Sequence, residues 1–196
     1  MGRVRGYLAT SLDGFIATAD DEVAWLEEPR ESDLPLAMGD WAKTTPDALE
    51  FGEFLANVGC IVMGRRTLEV VAAFESPWAY GDIPMLIMTS HALPVVPSTV
   101  RAVSGTIESV IGEARAVAGG KDIYVDGGIT VRSAIDAGLL DHLVVTLLPT
   151  ALGEGIPLLA GLQAPAEFAV EKVARWGPGL VQLHLNMRAA TADSTA

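Results

Sequence analysis

Two adjacent glycines follow a short apolar segment near the middle of the chain, in a pattern that suits binding of a phosphate group. Ile123 to Val125 predict a buried strand, Gly127 and Gly128 follow, and apolar residues at helical spacing then predict a helix up to Gly138. Glycines let another group approach the backbone closely, and the amides and dipole of a helix N-terminus favour a negative charge. The pattern therefore indicates a phosphate or pyrophosphate site. A glycine turn packed tightly against a sheet is the structural alternative.

A second strand–glycine–helix junction carries two guanidinium groups. Cys60 to Met63 predict a short buried strand, and Gly64-Arg65-Arg66-Thr67 closes it and opens a helix through about Ala73. Cations at a helix N-terminus oppose the helix dipole, and we expect no local structural benefit from these two. A planar guanidinium suits phosphate oxygens, so the junction favours an anionic ligand over a solvated helix start.

The elements around these junctions predict a largely parallel sheet. Strands and helices alternate from residue 60 to 138, and each strand is nearly all apolar, as expected for a sheet covered on both faces. Ligands bind such sheets outside the carboxyl ends of the strands. The junctions at Gly64 and Gly127 lie at those ends, as does Thr89-Ser90-His91 after a strand at Pro84 to Thr89. Further helices are predicted at 47–58 and 107–117, and a short strand at 99–103.

The two ends of the chain differ from this middle part. Val4 to Thr10 predict a first strand, followed by a turn at Asp13-Gly14 and by the irregular acidic segment 18–48 with Trp25 and Trp41. That segment is either solvated surface or a lid over a site. After a strand at 143–148 and a glycine loop at 152–157, segments 168–176 and 180–188 predict an antiparallel hairpin. We expect one domain over residues 1–188 and a disordered tail over 189–196.

Composition excludes several classes of protein. The chain has 196 residues, half of them hydrophobic, and a formal net charge of −12, which argues against a nucleic-acid or anionic-membrane surface. The single cysteine, Cys60, rules out an internal disulfide and multi-cysteine zinc sites, and the three histidines show no metal-ligand spacing. There is neither a secretion signal nor an apolar stretch approaching a membrane span, so we expect a cytoplasmic protein.

Six short motifs, in this order and spacing, resemble the dihydrofolate reductase-like superfamily. The similarity is closest to the reductase domain of the bifunctional riboflavin-biosynthesis deaminase-reductase and its stand-alone relatives, and it extends from residue 3 to about 188. The motifs are Ser-Leu-Asp-Gly-Phe-Ile-Ala at 11–17, Met-Gly-Arg-Arg-Thr at 63–67, Thr-Ser at 89–90, Tyr-Val-Asp-Gly-Gly at 124–128, Gly-Leu-Leu-Asp at 138–141 and Leu-Gly-Glu-Gly-Ile-Pro at 152–157.

The resemblance implies an α/β fold with a mostly parallel mixed sheet of about eight strands, helices on its faces and an antiparallel C-terminal hairpin. It also implies an NADPH site. Arg65 and Thr67, beside Gly64, would hold cofactor phosphates, and Thr89 and Ser90 would line the 2′-phosphate side together with Arg66. The pyrophosphate would lie on a cradle, and the nicotinamide between two apolar residues. The cradle comprises Gly127, Gly128, Ile129, Thr130 and Val131, and the flanking residues are Ala9 and Ile16.

The substrate side is less sharply defined by the resemblance. Asp13 lies in the family's substrate-side loop, where it would either hydrogen-bond a polar substrate or organise the turn. The implied reaction is hydride transfer to a C=O or C=N group of a small polar molecule, such as a ribosylamino-pyrimidine phosphate of riboflavin synthesis. A nucleotide-holding or regulatory module without turnover, and a folate or pterin reductase, are the alternatives.

The chain departs from the resembling families in two ways, and the resemblance also carries an expectation about the oligomeric state. No single carboxylate in the long acidic loop matches the one with which dihydrofolate reductases hold the pterin ring. The paired cysteines and His-x-Glu element of a zinc deaminase are absent, so at most the reductive half-reaction is expected. Related reductase domains pair through the C-terminal region, which together with the edge strand of the hairpin predicts a homodimer.

Overall fold

A computed structural model describes residues 1–26, 45–74, 78–176 and 179–188. Within those ranges the chain forms ten strands, four α-helices and a short 3₁₀ helix, Ala24–Leu26. The elements in chain order are β1 (Val4–Thr10), β2 (Phe15–Ala17), α1 (Phe51–Ala56), β3 (Val58–Gly64), α2 (Arg65–Ala72), β4 (Met85–Met88), β5 (Val100–Val103), α3 (Ile107–Ala118), β6 (Asp122–Asp126), α4 (Gly128–Asp136), β7 (His142–Leu147), β8 (Ile156–Pro157), β9 (Phe168–Trp176) and β10 (Leu180–Met187).

Eight of the strands form one mixed sheet in the order β5-β4-β3-β6-β1-β7-β10-β9. The six strands from β5 to β7 are parallel, whereas β10 pairs antiparallel with both β7 and β9. The remaining two, β2 and β8, form a small antiparallel pair. This is the predicted mixed, mostly parallel sheet with an antiparallel C-terminal hairpin.

The central strands are buried on both faces, which explains why they are nearly all apolar. In β3, Cys60 and Val62 pack into the core beneath α3 and α4, while Ile61 and Met63 pack with Phe54 of α1 on the opposite face. Burial raises the pKa of the Cys60 thiol to about 11, as expected for a structural rather than a reactive cysteine.

One predicted helix is shorter than its periodicity suggests. The helix expected at 47–58 spans only Phe51–Ala56, because the residues at both ends of the segment make contacts outside the helix. The backbone N–H of Leu49 donates to Gln182 Oε1 at 2.7 Å, and its carbonyl accepts from Tyr7 Oη at 2.8 Å. At the other end, Val58 already begins β3, where it pairs with Asp122 of β6.

Some expectations fall outside the described part of the chain. Most of the acidic segment, including Trp41, and the tail 189–196 lie there. Trp25, at the described start of that segment, is buried. None of the described helices combines the length and the apolar character needed to cross a bilayer.

Candidate functional site

Three elements meet at the glycine turn after β6. Gly127 has a φ of +86°, a left-handed conformation that favours glycine, and a Cβ at this position would overlap Thr67 Oγ1 of α2. A Cβ at Gly128 would lie 2.6 Å from the carbonyl oxygen of Pro157 in β8. Because neither glycine has a side chain, α2, α4 and β8 can pack against the same turn at the carboxyl edge of the sheet. Gly64 is adjacent, with Thr130 Oγ1 3.8 Å from its would-be Cβ.

The start of α4 presents backbone amides at this edge. Its first intrahelical hydrogen bond runs from Val131 N to the Gly127 carbonyl at 3.0 Å, so the amides of Gly128, Ile129 and Thr130 precede that ladder. The Ile129 side chain is 71 % exposed beside them, whereas Thr130 and Val131 are buried. Val131 belongs to the core and can support the predicted cradle only from beneath.

The two arginines of α2 have local partners, contrary to the expectation that nothing local accounts for them. Arg65 Nε donates to Glu69 at 2.6 Å, one helical turn on, and its Nη1 donates to the Ala92 carbonyl at 2.9 Å. Arg66 forms an ion pair with Asp21. The sequence argument failed because the dipole penalty at the helix start is offset by these carboxylates, one of which lies 45 residues away.

The remaining predicted cofactor residues lie around the same edge. Thr89 N donates to the Val103 carbonyl at 3.0 Å, and Thr89 Oγ1 accepts from His91 N at 3.1 Å, which shapes the turn that carries the exposed Ser90. The Ala92 carbonyl bound by Arg65 joins this turn to α2. Ile16 of β2 lies against Gly128, and Ala9 is half-buried near the end of β1.

Asp13 organises the loops on the other side of the turn. Its carboxylate accepts from Ser11 Oγ at 2.5 Å, from Gly153 N at 2.7 Å and from Leu152 N at 3.2 Å. The Ser11 hydroxyl first, and then the Gly153 amide, lower the pKa of Asp13 to about 2. Asp13 thus joins the first loop to the glycine loop, and these contacts favour the turn-organising alternative for this residue.

Two residues outside the predicted set strengthen the site. Asp126, the last residue of β6, accepts from Gly127 N at 2.8 Å and from Tyr80 Oη at 3.2 Å, and burial raises the pKa of its carboxyl. Arg132 of α4 donates to the carbonyls of Pro157 and Leu158 and so fixes β8 against the helix. The sequence signal for Asp126 was an acid inside an apolar strand directly before two glycines; Arg132 had none, because its acceptors are backbone carbonyls.

The site offers hydrogen-bond donors, cations and one buried carboxyl rather than metal ligands. Among the residues described, no group of histidine, cysteine and acidic side chains could hold a metal ion. Amides at a helix start with nearby arginines suit an anionic ligand, and a buried carboxyl of raised pKa suits proton exchange.

Comparison with known proteins places this architecture in a family. The model of the RibD C-terminal domain matches residues 4–182. The uncharacterized protein YwjB of Bacillus subtilis (strain 168) is 25 % identical over 185 residues, covering 91 % of this chain and 94 % of that protein. Among solved structures, a protein of Shewanella sp. PV-4 provisionally assigned to riboflavin biosynthesis is 27 % identical with a TM-score of 0.77, covering 95 % of this chain and 99 % of that one.

A more distant structure relates the fold to a well-known reductase. Dihydrofolate reductase from Enterococcus faecalis, solved in complex with NADP(H) and RAB-propyl, has a TM-score of 0.55 at 14 % identity and covers 96 % of this chain and 98 % of that one. The fold is therefore dihydrofolate reductase-like. With a family model matching nearly its whole length, the chain belongs to the RibD C-terminal domain family.

Proposed function

We propose that this protein is an NADPH-dependent reductase that transfers hydride to a C=O or C=N group of a small polar substrate. The observation that carries the proposal is the meeting of two glycine–helix junctions, at Gly64 and Gly127, on one carboxyl edge of the sheet. Family membership and the fold shared with an NADP(H)-bound reductase support it.

The residues at this edge fit the parts of a dinucleotide. The amides at the start of α4 suit the pyrophosphate, and Arg65 with Thr67 suits phosphate oxygens at the start of α2. Thr89 and Ser90 suit the 2′-phosphate side, where Arg65 holds the nearby Ala92 carbonyl, and Arg66 would have to leave Asp21 to join them. Ile16 and Ala9, on the strand ends beyond the turn, offer apolar contacts for a nicotinamide. The bound cofactor would supply the hydride.

The protein itself would supply position and a proton. Asp13 holds the glycine loop beside β2, and Arg132 holds β8 against α4, so the two walls of the substrate side are fixed to the cofactor cradle. We propose the Asp126 carboxyl as the proton source, because burial raises its pKa and it adjoins the cradle at Gly127. Tyr80 holds that carboxyl from the opposite side.

A ribosylamino-pyrimidine phosphate of riboflavin synthesis is the substrate we propose to test first, since the family and the Shewanella relative both point to that pathway. NADPH oxidation is followed against this compound, a pterin, dihydrofolate and small carbonyl compounds. Turnover of the pyrimidine alone supports the proposal. Turnover of dihydrofolate would replace it with the folate alternative.

The proton source is tested with Asp126→Asn, which keeps the acceptor for Gly127 N–H but cannot donate a carboxyl proton. We expect turnover to fall at least tenfold, as for loss of a general acid, while NADPH affinity is unchanged. Tyr80→Phe is the matched control, since it removes only the hydroxyl on Oδ2. Full activity of Asp126→Asn would exclude this role.

A nucleotide-binding module without turnover is the second candidate. It is favoured by the contacts of Asp13, the one predicted catalytic residue, because a carboxylate that holds Ser11, Leu152 and Gly153 serves to organise loops and supplies no chemistry. NADPH binding measured by calorimetry, together with no oxidation across the substrate panel, would support this candidate instead.

A further inference from the structure

A second cleft opens on the opposite edge of the sheet from the proposed cofactor site. It has a volume of about 610 Å3 and is lined at the amino ends of β1, β6 and β7 by Arg5, Asp122 and His142. Lys172 and His184 of the C-terminal hairpin form its other wall. Its size is that of a small-molecule site, and a strand length of about 20 Å separates it from the carboxyl edge.

Two lining side chains have nitrogen atoms without partners. Arg5 and His142 are directly opposite each other across β1 and β7, and their side chains are only 15 % and 4 % exposed. Arg5 Nε and His142 Nδ1 have no hydrogen-bond partner among the described residues. Buried polar atoms in native proteins are nearly always paired, so a pair of adjacent orphans in a cleft indicates an absent partner.

The carboxylates near these atoms are already engaged. Asp122 accepts from Arg3 N at 2.9 Å and from Arg5 Nη1 at 3.1 Å. Glu171 accepts from Asn186 Nδ2 at 3.1 Å, and its carboxylate lies 3.5 Å from His142 Nε2. These two carboxylates therefore leave Arg5 Nε and His142 Nδ1 without a partner among the described residues.

The cations that line the cleft lower the pKa values of the two histidines at its floor. Burial and then Arg5 lower the pKa of His142 to about 4, and burial and then Lys172 lower the pKa of His184. Lys172 Nζ reaches Asp47 only at 4.0 Å, and Glu53 is an exposed acid at the rim. Arg5 and Lys172 thus place positive charge beside these histidines, and a bound anion would offset their effect on the imidazole pKa values.

We propose that this cleft binds a small anionic metabolite through carboxylate or phosphate oxygens. Arg5 Nε–H and His142, protonated on Nδ1, would donate to the anion, and the half-exposed Lys172 would face it from the mouth. His184 cannot replace His142 as the donor from Nε2, because that atom already donates to Gln182 Oε1 at 3.0 Å. An anion that prefers protonated His142 must raise the pKa of that imidazole, and its affinity must rise as the pH falls.

The probes are inorganic sulfate, for a tetrahedral oxyanion, and acetate, for a carboxylate. The imidazole pKa values are measured by NMR in each salt and in sodium chloride of equal ionic strength, with resonances assigned through His142→Asn and His184→Asn. We expect one of the two probes to raise the pKa of His142 by about one unit, which corresponds to tenfold coupling between proton and anion.

Three variants locate the effect. Lys172→Gln removes the cation at the mouth, and Arg5→Lys keeps the charge but loses Nε–H; both should at least halve the pKa shift. Arg101→Gln is the matched control, because it removes one exposed, ion-paired cation from the far edge of the sheet and should retain the full shift. No shift in the wild type, or equal shifts in all the proteins, would overturn the proposal.

Discussion

Arg65 and Arg66 are adjacent in sequence but hold different partners, and this separates their expected roles at the cofactor. Arg65 is tied to Glu69 and to the Ala92 carbonyl beside the Thr89–Ser90 turn, whereas Arg66 is paired with Asp21, which follows β2 in the chain. A hydrogen bond to a charged group contributes about 1.5–3 kcal/mol, or one to two decades in affinity. We therefore expect Arg65→Ala to weaken NADPH binding about ten- to a hundred-fold.

Titration of NADPH and NADH against wild type, Arg65→Ala and Arg66→Ala locates the phosphates. If Arg65 meets the pyrophosphate, its loss weakens both cofactors, and Arg66→Ala weakens NADPH selectively. If Arg65 meets the 2′-phosphate, NADH binding hardly changes. Unchanged NADPH affinity in both variants contradicts the proposed site.

Asp13 is expected to affect the substrate side and not the cofactor. Asp13→Asn keeps the size of the side chain but weakens the acceptor that holds Gly153 N and Leu152 N. We predict a lower kcat/KM with NADPH affinity within about twofold of wild type, a difference of only about 0.4 kcal/mol. A large loss of NADPH affinity in a folded variant would place Asp13 with the cofactor instead.

We expect His142 to make the fold sensitive to mild acid. Its folded-state pKa of about 4 lies below its unfolded value of 6.5, so the unfolded chain binds more protons and stability falls as the pH drops through this window. The full loss is on the order of 3 kcal/mol, and His184 contributes in the same direction.

Urea unfolding of wild type and His142→Asn at pH 4.5 to 7 measures this effect. The variant should show a shallower pH dependence, whereas His91→Asn, at an exposed position, should match the wild type. Identical slopes for wild type and His142→Asn would contradict the assignment. Acid loss that begins only below pH 4 would report instead on Asp13, whose low pKa stabilises the fold above that range.

At the scale of elements, the joint between α2 and α4 depends on one glycine. Gly127→Ala places an alanine at φ +86° and ψ 144°, a conformation that essentially only glycine adopts, at a cost of about 1–3 kcal/mol, and it adds a Cβ that overlaps Thr67 Oγ1. We predict a destabilisation above about 2 kcal/mol together with weaker NADPH binding, because the cradle must move.

Gly81→Ala is the matched control for this joint. Gly81 also has positive φ, but nothing lies within 4 Å of its would-be Cβ, so only the conformational cost should appear in chemical unfolding. Adding Thr67→Ala to Gly127→Ala should restore part of the difference. An equal cost at the two glycines would show that the close packing of α2 on the turn does not matter.

At the scale of the whole molecule, β9 is the edge strand of the sheet in the described part of the chain, where Thr45 hydrogen-bonds it at Arg175. Val170 and Val173 on this strand are 61 % and 59 % exposed, on the face shared with Leu183 and Leu185 of β10. Exposed edge strands with apolar side chains pair readily, so we propose a homodimer formed through the hairpin 168–188.

Light scattering at micromolar concentration should give about twice the chain mass of 20.6 kDa. Val173→Lys should shift the mass toward that of the monomer, since a charge would be buried in the interface. Val95→Lys, at a fully exposed position away from the sheet, should leave the mass unchanged. A monomer mass for the wild type would contradict the dimer.

Much of the fold could be predicted from the sequence because its signals are local. Apolar runs with glycine boundaries located β3, β6 and their following helices, and the alternation of strand and helix predicted a parallel sheet. The Gly127–Gly128 turn and its position at a carboxyl end follow from the same local pattern. The resemblance of six short motifs pointed to the correct family.

Tertiary structure alone decided which groups these residues meet. Asp21 pairs with Arg66, which is 45 residues away in the chain. The 152–153 loop donates to Asp13 from about 140 residues away. Neither contact can be read from the sequence. Gln182 and His184 occupy the polar positions of an alternating strand yet are buried. The backbone of Leu49 donates to Gln182 Oε1 and accepts from Gln182 Nε2, and His184 Nε2 donates to the same Gln182 oxygen. Backbone propensity acts over a few residues, whereas partner choice and burial depend on where distant segments pack, and only the folded chain determines that.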